Sequence, residues 1–265
     1  TIIGCSRSVS GDEASDESFS REIKVLDSDI PEITELVIVG GCSDYHVIRS
    51  EDENLRINAE IVVWKGEEEI RKQKLDMLNI IVKYPKKGCI MLDESIKGDE
   101  EKCYYSYLNE NQMNGETKIH YDIQIPSSIQ LVKLYTNIGN INAQDICAKF
   151  DFRTLLGNID CQNIIPIENC IFAEKYGYVN IEFNSLEKAG TIVAAADRKL
   201  TLHYPEQENY SEQPLQDIAF LQFEQLNQLS VSERINEMKK LADKETEDID
   251  FTTEKKMILI HEGTY

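Results

Sequence analysis

The sequence predicts a mainly β protein whose middle third is a β-solenoid, that is, a stack of short coils built from β-strands. Two observations carry this prediction. A motif recurs at nearly constant spacing between residues 131 and 203, and the segments before it alternate apolar with polar residues. The chain has 265 residues, enough to bury one substantial core. Short helices are expected at the flanks of the solenoid.

The repeat is clearest in two copies. Both have the pattern Thr-x-x-Gly-Asn-Ile, at Thr136, Gly139, Asn140 and Ile141 and again at Thr154, Gly157, Asn158 and Ile159. The two glycines are 157 − 139 = 18 residues apart, and Gly177 follows after 177 − 157 = 20 residues. A fourth, degenerate copy has Arg198 in the glycine position, 198 − 177 = 21 residues later. Repeats of about this length are typical of solenoids.

Stacked coils explain this spacing physically. One coil cannot bury its faces alone, but neighbouring coils share a continuous apolar interior. Gly139 and Gly157 are expected where the chain bends and φ is positive, and Asn140 and Asn158 are expected to hydrogen-bond along the stack. The apolar positions predicted to point inward are Leu134, Ile141, Phe152, Ile159, Phe172, Val179, Val193 and Leu200. An ordinary antiparallel sandwich with accidental similarity is the alternative.

The segments on either side of the repeat are expected to complete the domain. Period-two alternation predicts strands over 33–48, over 55–63 and through much of 79–126, with loops at 93–101 and 108–116. An amphipathic helix is expected over 66–78. After residue 206 the pattern predicts a strand at 218–223, a helix at 232–244 that opens with capping-box spacing, and a strand at 256–261.

The N-terminus suggests a lipid anchor. Thr1-Ile2-Ile3-Gly4-Cys5 is similar to the end of a bacterial lipoprotein signal, in which the cysteine becomes the lipidated first residue. The polar, acidic stretch that follows lacks the apolar content to fold. We therefore expect a disordered tether over 1–20 and a single β-solenoid domain over 21–265, with regular coils at about 128–204 and a helical and strand-containing tail at 206–265. A chance Ile-Ile-Gly-Cys sequence is the alternative.

The remaining cysteines are interpreted as buried thiols. The chain has seven, at positions 5, 42, 89, 103, 147, 161 and 170. Without Cys5 the number is even, as in an oxidised exported protein, but Cys147, Cys161 and Cys170 fall among alternating apolar positions where a small apolar side chain suffices. There is no CxxC pair or Cys/His cluster, so no structural zinc site is expected.

Composition narrows the choice of partner. The chain has 48 acidic and 28 basic residues, a formal net charge of −20. This surplus argues against nucleic acids and against binding to anionic lipid head groups, because both need clustered Lys and Arg. No apolar run approaches the length needed to cross a bilayer. A membrane contact is therefore expected only through the possible lipid at Cys5.

The segment from 35 to about 204 resembles the bacterial auto-transporter adhesin head (GIN domain) family, a group of adhesin-like domains of unknown function. The motifs that carry this resemblance are Val37-Ile38-Val39-Gly40-Gly41, Ile125-Pro126-Ser127-Ser128 and the repeat around Gly139 and Gly157. The resemblance implies a right-handed parallel β-helix-like fold, export, and exposure at the cell envelope. It supplies no catalytic residues. The chain departs from the family pattern where Glu174 replaces the Thr and Arg198 replaces the Gly.

No catalytic, cofactor-binding or metal-binding residues are predicted. The four histidines, His46, His120, His203 and His261, are scattered, and we interpret them as strand-face residues. The densest aromatic cluster, Tyr104-Tyr105-Ser106-Tyr107, is interpreted as a strand with one Tyr packed inside rather than as a recognition surface. Asp145, Asp151 and Asp160 would offer carboxylates for acid/base or metal chemistry if adjacent coils brought them together.

Three hypotheses for function remain open. The first is a non-catalytic, envelope-associated binding or structural module that contacts a protein or glycan. The second is a carbohydrate-active enzyme on the same scaffold, and the third is an envelope-stress signalling accessory whose C-terminal helix contacts a membrane partner. A groove with converging carboxylates would favour the enzyme, and a flat Asn- and hydroxyl-rich face would favour binding. An exposed apolar stripe through Ile235, Met238 and Leu241 would favour the accessory.

Overall fold

The computed structural model describes residues 2–5, 18–64, 66–111, 116–206, 211–214, 233 and 257–262. These residues form nineteen strands and two helices. The first nine strands are β1 Ile2–Cys5, β2 Ser18–Ser28, β3 Glu35–Val39, β4 Ser43–Arg49, β5 Leu55–Val63, β6 Leu78–Lys83, β7 Cys89–Ile96, β8 Asp99–Cys103 and β9 Thr117–Ile125. The next ten are β10 Leu131–Ile138, β11 Ile141–Gln144, β12 Cys147–Leu156, β13 Asn158–Pro166, β14 Glu168–Glu174, β15 Tyr178–Phe183, β16 Ala189–Ala196, β17 Lys199–His203, β18 Ser211–Pro214 and β19 Met257–Glu262. The helices are α1 Glu68–Met77 and α2 Tyr104–Glu110.

The predicted mainly β class is confirmed, and the strands pair in two long ladders. Sheet A runs in the order β1-β2-β5-β9-β4-β11-β13-β15-β17. Sheet B runs β6-β7-β3-β10-β12-β14-β16-β19-β18. From β10 to β17, successive strands alternate between the two sheets, and each strand from β10 to β15 pairs in parallel with the strand two further along the chain. The chain therefore returns to the same sheet once per repeat.

The register follows the sequence repeat. Thr136 pairs with Thr154, and Ile141 pairs with Ile159, both at an offset of 18 residues. The next turn has an offset of 20, with Ile159 opposite Val179. Each pairing therefore places one copy of the motif directly on the preceding copy.

The fourth copy departs from the predicted pattern at Val193. An irregularity in the pairing of β14 with β16 changes the offset, so that Phe172 lies opposite Ala194 and Val193 lies opposite Ile171. A slip of one residue moves a side chain to the other face of a sheet. Val193 therefore lies on the outer side of sheet B, and the prediction that it points into the core is wrong.

The core lies between the inner faces of the two sheets. Phe150, Phe152 and Phe172 are fully buried there, with ring centroids 5.2–5.7 Å apart. Ile141, Ile159 and Val179 bury their side chains from sheet A. The other predicted inward residues, Leu134 and Leu200, also contact this core, Leu200 being only partly buried.

The glycines of the repeat are required for close approach rather than for a positive φ. A Cβ on Gly157 would lie 1.8 Å from the carbonyl oxygen of Gly139, and a Cβ on Gly177 would lie 1.8 Å from that of Gly157. Among the described glycines, positive φ occurs at Gly66, Gly88 and Gly98. The expectation of a positive φ at Gly139 and Gly157 is therefore wrong, and the absent side chain serves coil-to-coil packing instead.

Positive φ occurs at a second corner that the sequence reasoning missed. Asp145 and Asn163, also 18 residues apart, have φ values of 59° and 54°. Asn163 Nδ2 donates a hydrogen bond to Asp145 Oδ1. Asn and Asp tolerate this left-handed conformation better than other side chains do, so this corner has its own stacked pair.

Glu174 occupies the position of the repeat threonine in the third coil. Thr154 Oγ1 donates to the carbonyl oxygen of Gly139 at 2.8 Å, whereas Glu174, in register with Thr154, accepts a hydrogen bond from the backbone N–H of Tyr176. The Glu174 side chain is fully buried. Burial raises the pKa of Glu174 to about 7, although backbone N–H groups of Gly177 and Tyr176 act in the opposite direction.

Two expectations for the segments before the repeat need correction. The predicted helix at 66–78 is present as α1, but 93–101 is not a loop, because β7 continues to Ile96 and β8 begins at Asp99. The tyrosines 104–107 lie in α2 rather than in a strand, with Tyr104 buried. The polar residues of β7 resemble a loop in the sequence, but the structure buries their side chains inside the protein.

The chain ends fit the predictions only in part. Ile2–Cys5 pairs with residues 18–21 in an antiparallel ladder, which differs from the unstructured tether predicted over 1–20. Residues 6–17 lie outside the described residues, as do the predicted strand at 218–223 and all of the predicted helix at 232–244 except Glu233. The last predicted strand is confirmed as β19. Neither described helix is long and apolar enough to cross a membrane.

Six cysteines are described as free thiols, in agreement with the buried-thiol interpretation. Five are buried and Cys147 is half-buried. Burial raises the pKa of Cys42 and of Cys170 to about 12. The side chain of Cys5 lies outside the described residues.

We predict that Gly157→Ala destabilises the fold through a clash of Cβ with backbone. The added methyl group meets a carbonyl that cannot swing away, so the free energy of unfolding should fall by about 3 kcal/mol or more. Gly98→Ala is the matched control, because its φ of +88° is unfavourable for alanine but no atom lies within 4 Å of the added Cβ. Gly98→Ala should lower the free energy of unfolding by about 1–2 kcal/mol. Urea unfolding measures both, and a cost for Gly157→Ala no greater than that for Gly98→Ala would contradict the packing role.

We also predict that Glu174 makes the stability fall as the pH rises. Its folded-state pKa, about 7, lies above the ordinary value of 4.5, so the native state binds more protons than the unfolded state between these values. The free energy of unfolding should therefore decrease from about pH 4.5 through about pH 7. Glu174→Gln should remove this pH-dependent part of the free energy of unfolding, which amounts to about 1–2 kcal/mol after allowance for screening. Urea unfolding at pH 5, 6, 7 and 8 compares the two proteins, and identical pH slopes would contradict the assignment.

Candidate binding face

The two sheets differ in what their outer faces expose. The outer face of sheet B is buried, with Val37, Met91 and Tyr135 in one apolar cluster and Ala173 and Ala195 in another. The outer face of sheet A is exposed or half-buried and carries polar side chains. A surface for recognition in the described part of the chain is therefore sought on sheet A.

One row of polar residues crosses seven strands of sheet A, from β5 to β17. We call this row the polar ladder; its members are Asn58, Asp122, His46, Asn142, Asp160, Asn180 and Thr201. Asn180 Nδ2 donates to Asp160 Oδ1 at 3.2 Å, and His46 Nδ1 lies 3.3 Å from Asp122 Oδ1. Neighbouring rungs are separated by the strand spacing of about 4.8 Å. The ladder is thus a nearly regular array of amide, carboxylate and hydroxyl groups facing solvent.

A second row beside the ladder contains the repeat asparagines. Asn158 Nδ2 donates to Asn140 Oδ1 at 3.1 Å, so the predicted contact between these two side chains is confirmed. Asn158 Oδ1 in turn accepts from the backbone N–H of Tyr178 at 3.2 Å. The asparagines therefore fix one coil on the next at the edge of the exposed face.

Asp44 begins this second row and is held as a carboxylate. It accepts from the backbone N–H of Asn140 at 2.8 Å, and Lys118 Nζ and His120 Nδ1 lie 3.0 Å and 3.1 Å from its oxygens. Burial acts to raise the pKa of Asp44, but the hydrogen bonds from His120 and Asn140 and the charge of Lys118 outweigh it, so the pKa is lowered. His46, His120 and His203 all lie on strands of sheet A with exposed side chains, as predicted for strand-face residues.

Exposed aromatic side chains occur where the third coil passes from sheet B to sheet A. Tyr176 is 47% exposed and Tyr178 is 42% exposed, and the equally exposed Leu156 lies in the preceding coil. Tyr178 points outward from β15 between Asn158 and Lys199, its partners on the neighbouring strands. It thus places an aromatic ring among the polar groups of the exposed face. The repeat alone did not indicate this, because the same position is Asn140 or Asn158 in the earlier copies.

The three aspartates weighed as enzyme carboxylates lie in three different environments. Asp160 is on the polar ladder, and Asp145 is at the corner with Asn163. Asp151 is on the outer side of sheet B, buried in an ion pair with Arg153, whose Nε lies 2.6 Å from Asp151 Oδ1. Burial acts to raise the pKa of Asp151, but the charges of Arg153 and Lys133 lower it. The fold therefore does not bring these carboxylates together.

A buried polar cluster around Glu94 was missed by the sequence reasoning. Glu94 accepts hydrogen bonds from the hydroxyls of Ser43 and Tyr121 and from the backbone N–H of Gly41. Burial and the charge of Glu94 together raise the pKa of Tyr121. The signal was present in sequence, since Glu94 continues the period-two alternation of Ile90 and Leu92. All of these groups are shielded from solvent, so we assign the cluster to structure.

One concave site among the described residues is small. A cavity beside Pro126, Ile129 and Ile146 has a volume of about 10 Å³, room for about one water molecule. No group of three or more His, Cys, Asp or Glu side chains that could hold a metal ion occurs among the described residues. The arrangement with most chemical content among the described residues is the polar outer face of sheet A.

Comparisons with known proteins place the chain near solved structures of candidate adhesins. No family model matches the chain, and no curated protein matches it. A candidate cell adhesion protein from Clostridium sporogenes is 11% identical with a TM-score of 0.41, over 92% of this chain and 95% of that one. A candidate adhesin from Bacteroides fragilis is 10% identical with a TM-score of 0.31, over 94% and 95% of the two chains, and one from Parabacteroides distasonis is 10% identical with a TM-score of 0.27, over 71% and 85%. At these identities and TM-scores the similarity does not assign this chain to a family. The resemblance to the GIN domain family stays a prediction.

Proposed function

We propose that this chain is a non-catalytic, adhesin-like binding or structural module at the cell envelope and that its contact surface is the outer face of sheet A. The observation that carries the proposal is the polar ladder, a row of exposed or half-buried Asn, Asp, His and Thr side chains that crosses seven strands. Its partner is a protein or glycan of the envelope. Nucleic acid is disfavoured because the net charge of −20 would repel phosphate.

The scaffold of this proposal is a short, right-handed parallel β-helix-like solenoid. The alternation of β10–β17 between two sheets supports it, as do the parallel pairings at offsets of 18 and 20 residues. A third, brief parallel pairing of Cys147 with Ile165 and Ala148 with Pro166 gives the coil another side. Such a stack presents rigid, regularly spaced side chains, which lowers the entropic cost of binding an extended partner.

The carbohydrate-active enzyme is the second candidate, and the placement of the aspartates disfavours it. Glycoside hydrolysis needs two carboxylates that face one bond across a cleft. Here Asp151 is buried in an ion pair on sheet B, while Asp160 lies on the open face of sheet A. An open sheet face can hold a polysaccharide chain without distorting its sugar rings toward a transition state. This property fits binding better than cleavage.

Attachment at the envelope is proposed to occur through a lipid on Cys5. Cleavage before Cys5 would remove residues 2–4 from β1, whereas the pairing of β2 with β5 would be unchanged. Strand β2 would therefore remain paired at the edge of sheet A after processing. The third hypothesis, a signalling accessory that acts through Ile235, Met238 and Leu241, concerns positions outside the described residues.

Retention on envelope preparations tests the binding face. We expect the triple variant Asn142→Ala/Asp160→Ala/Asn180→Ala to bind at least about tenfold more weakly than the wild type, because each lost hydrogen bond costs about 1 kcal/mol. The matched control is Glu68→Ala/Lys72→Ala, which removes an exposed ion pair of α1 away from this face. Labelled protein is titrated onto the envelope fraction and the bound amount is measured, with reducing ends counted in the supernatant.

The possible outcomes separate the hypotheses. Loss of retention in the triple variant alone, with no release of reducing ends, is the expected result. Equal retention of the wild type and the triple variant would reject the face, and release of reducing ends that Asp160→Asn abolishes would replace the module with an enzyme. Mass spectrometry of the membrane-fraction protein checks the anchor: a lipid adduct on Cys5 is expected, and unmodified Cys5 in soluble protein would reject it.

A further inference from the structure

We propose that the outer face of sheet A binds a neutral polysaccharide chain laid across the strands, with Tyr178 stacking on one sugar ring. The inference rests on the proposed binding function and names its ligand class. It is carried by one juxtaposition: an exposed tyrosine ring stands in a regular array of amide, carboxylate and hydroxyl side chains.

The chemistry of the polar ladder suits sugar hydroxyls. Amides offer both donors and acceptors, and a carboxylate offers only acceptors, so Asn142, Asp160 and Asn180 on adjacent strands can satisfy adjacent hydroxyls that act in either sense. The contact between Asn180 and Asp160, at 3.2 Å, orients both side chains. It leaves further acceptor positions on Asp160 and further donor and acceptor positions on Asn180. The array is thus partly pre-organised before a ligand arrives.

The spacing of the rungs suits a polymer. Neighbouring strands are about 4.8 Å apart, which is close to the length of one pyranose ring in an extended chain. A polysaccharide that runs across the strands would therefore meet similar side chains at each successive residue. Protein loops and small ligands have no such regular period.

Tyr178 supplies the apolar part of the site. It is 42% exposed, and its neighbours on the same face are Asn158, Asn180 and Lys199. A tyrosine ring offers a large flat contact area with a polar tip, and the axial C–H groups of a pyranose present a matching apolar surface. One aromatic platform among hydrogen-bonding groups provides both kinds of contact that a sugar needs.

Charge and apolar content favour this occupant over the others. The chain carries a net charge of −20, and on this face the carboxylates outnumber the cations, so an anionic polysaccharide would be repelled. The carboxylates on strands β5 to β17 are Asp44, Glu60, Asp122, Asp160 and Glu182, and the cations are Arg56, Lys118 and Lys199. A protein partner would need an apolar centre in the interface, whereas the polar ladder is hydrophilic along its whole length. A neutral polysaccharide meets neither obstacle.

Affinity electrophoresis of the full chain tests the proposal. Native gels contain one of four neutral probes (dextran, a linear β-glucan, mannan or galactomannan) or the anionic probe polygalacturonate. We expect at least one neutral probe to retard the wild type, and Tyr178→Ala to raise its dissociation constant by about tenfold, as for an aromatic anchor. Tyr84→Ala is the matched control, because Tyr84 is 61% exposed and lies in the loop after β6. Circular dichroism checks that each variant is folded.

Three results would overturn the proposal: no retardation by any neutral probe, equal retardation of Tyr178→Ala and wild type, or retardation by polygalacturonate alone. Retention on envelope preparations keeps the two proposals separable. If no neutral probe retards the chain but the Asn142/Asp160/Asn180 variant still loses retention, and protease treatment of the envelope abolishes it, the face binds a protein and only the polysaccharide inference fails. If that variant is retained like the wild type, the binding face itself fails.

Discussion

The direct contact of one sequence repeat with the next at the repeat glycines is the constraint on which this structure depends. At Gly139, Gly157 and Gly177 the backbone of each coil lies so close to a carbonyl of the coil before it that no side chain fits between them. This approach lets the strands on both sides of the corner pair in parallel and in register. Because the register is fixed at this point, every side chain further along the coil is assigned to the inner or the outer face.

The register then separates the inner residues from the outer ones. Phenylalanines from sheet B and branched aliphatics from sheet A fill the interior, where close packing tolerates little change in volume. The outer face of sheet B is buried as well, and there Asp151 and Arg153 form a buried ion pair. Among the described strands, those of sheet A leave a long face open to solvent, and the polar residues of this face form rows across the strands. The same periodicity that builds the core thus arranges the candidate binding face.

Part of this organisation could be predicted from the sequence. The motif Thr-x-x-Gly-Asn-Ile identified the stacking of Thr136 on Thr154 and of Asn140 on Asn158, because identical residues at a constant offset occupy equivalent places in a repeat. The reason for the glycines could not be found in this way, since positive φ and close approach select the same residue. Val193 was misplaced because a local shift in pairing leaves no mark in composition. β7 was misread because its acidic residue Glu94 is buried in a hydrogen-bonded cluster, and partners such as Ser43 are about fifty residues away in sequence.

The aromatic part of the candidate site lies where the repeat is least regular. In the third and fourth coils the threonine becomes Glu174, the asparagine becomes Tyr178 and the glycine becomes Arg198, and each change gives up a feature that stabilises the earlier coils. Departures from a local structural rule are expected where function or strain requires them. Glu174 is the strained departure, because a carboxyl group is buried there with a pKa raised to about 7. Tyr178 and its neighbour Lys199 gain exposure rather than burial, and exposed residues that contribute nothing to the stack are free to serve recognition. The regular repeats therefore contribute Asn142 and Asp160 to the polar ladder, and the irregular ones add the exposed Tyr178 and Lys199 beside it.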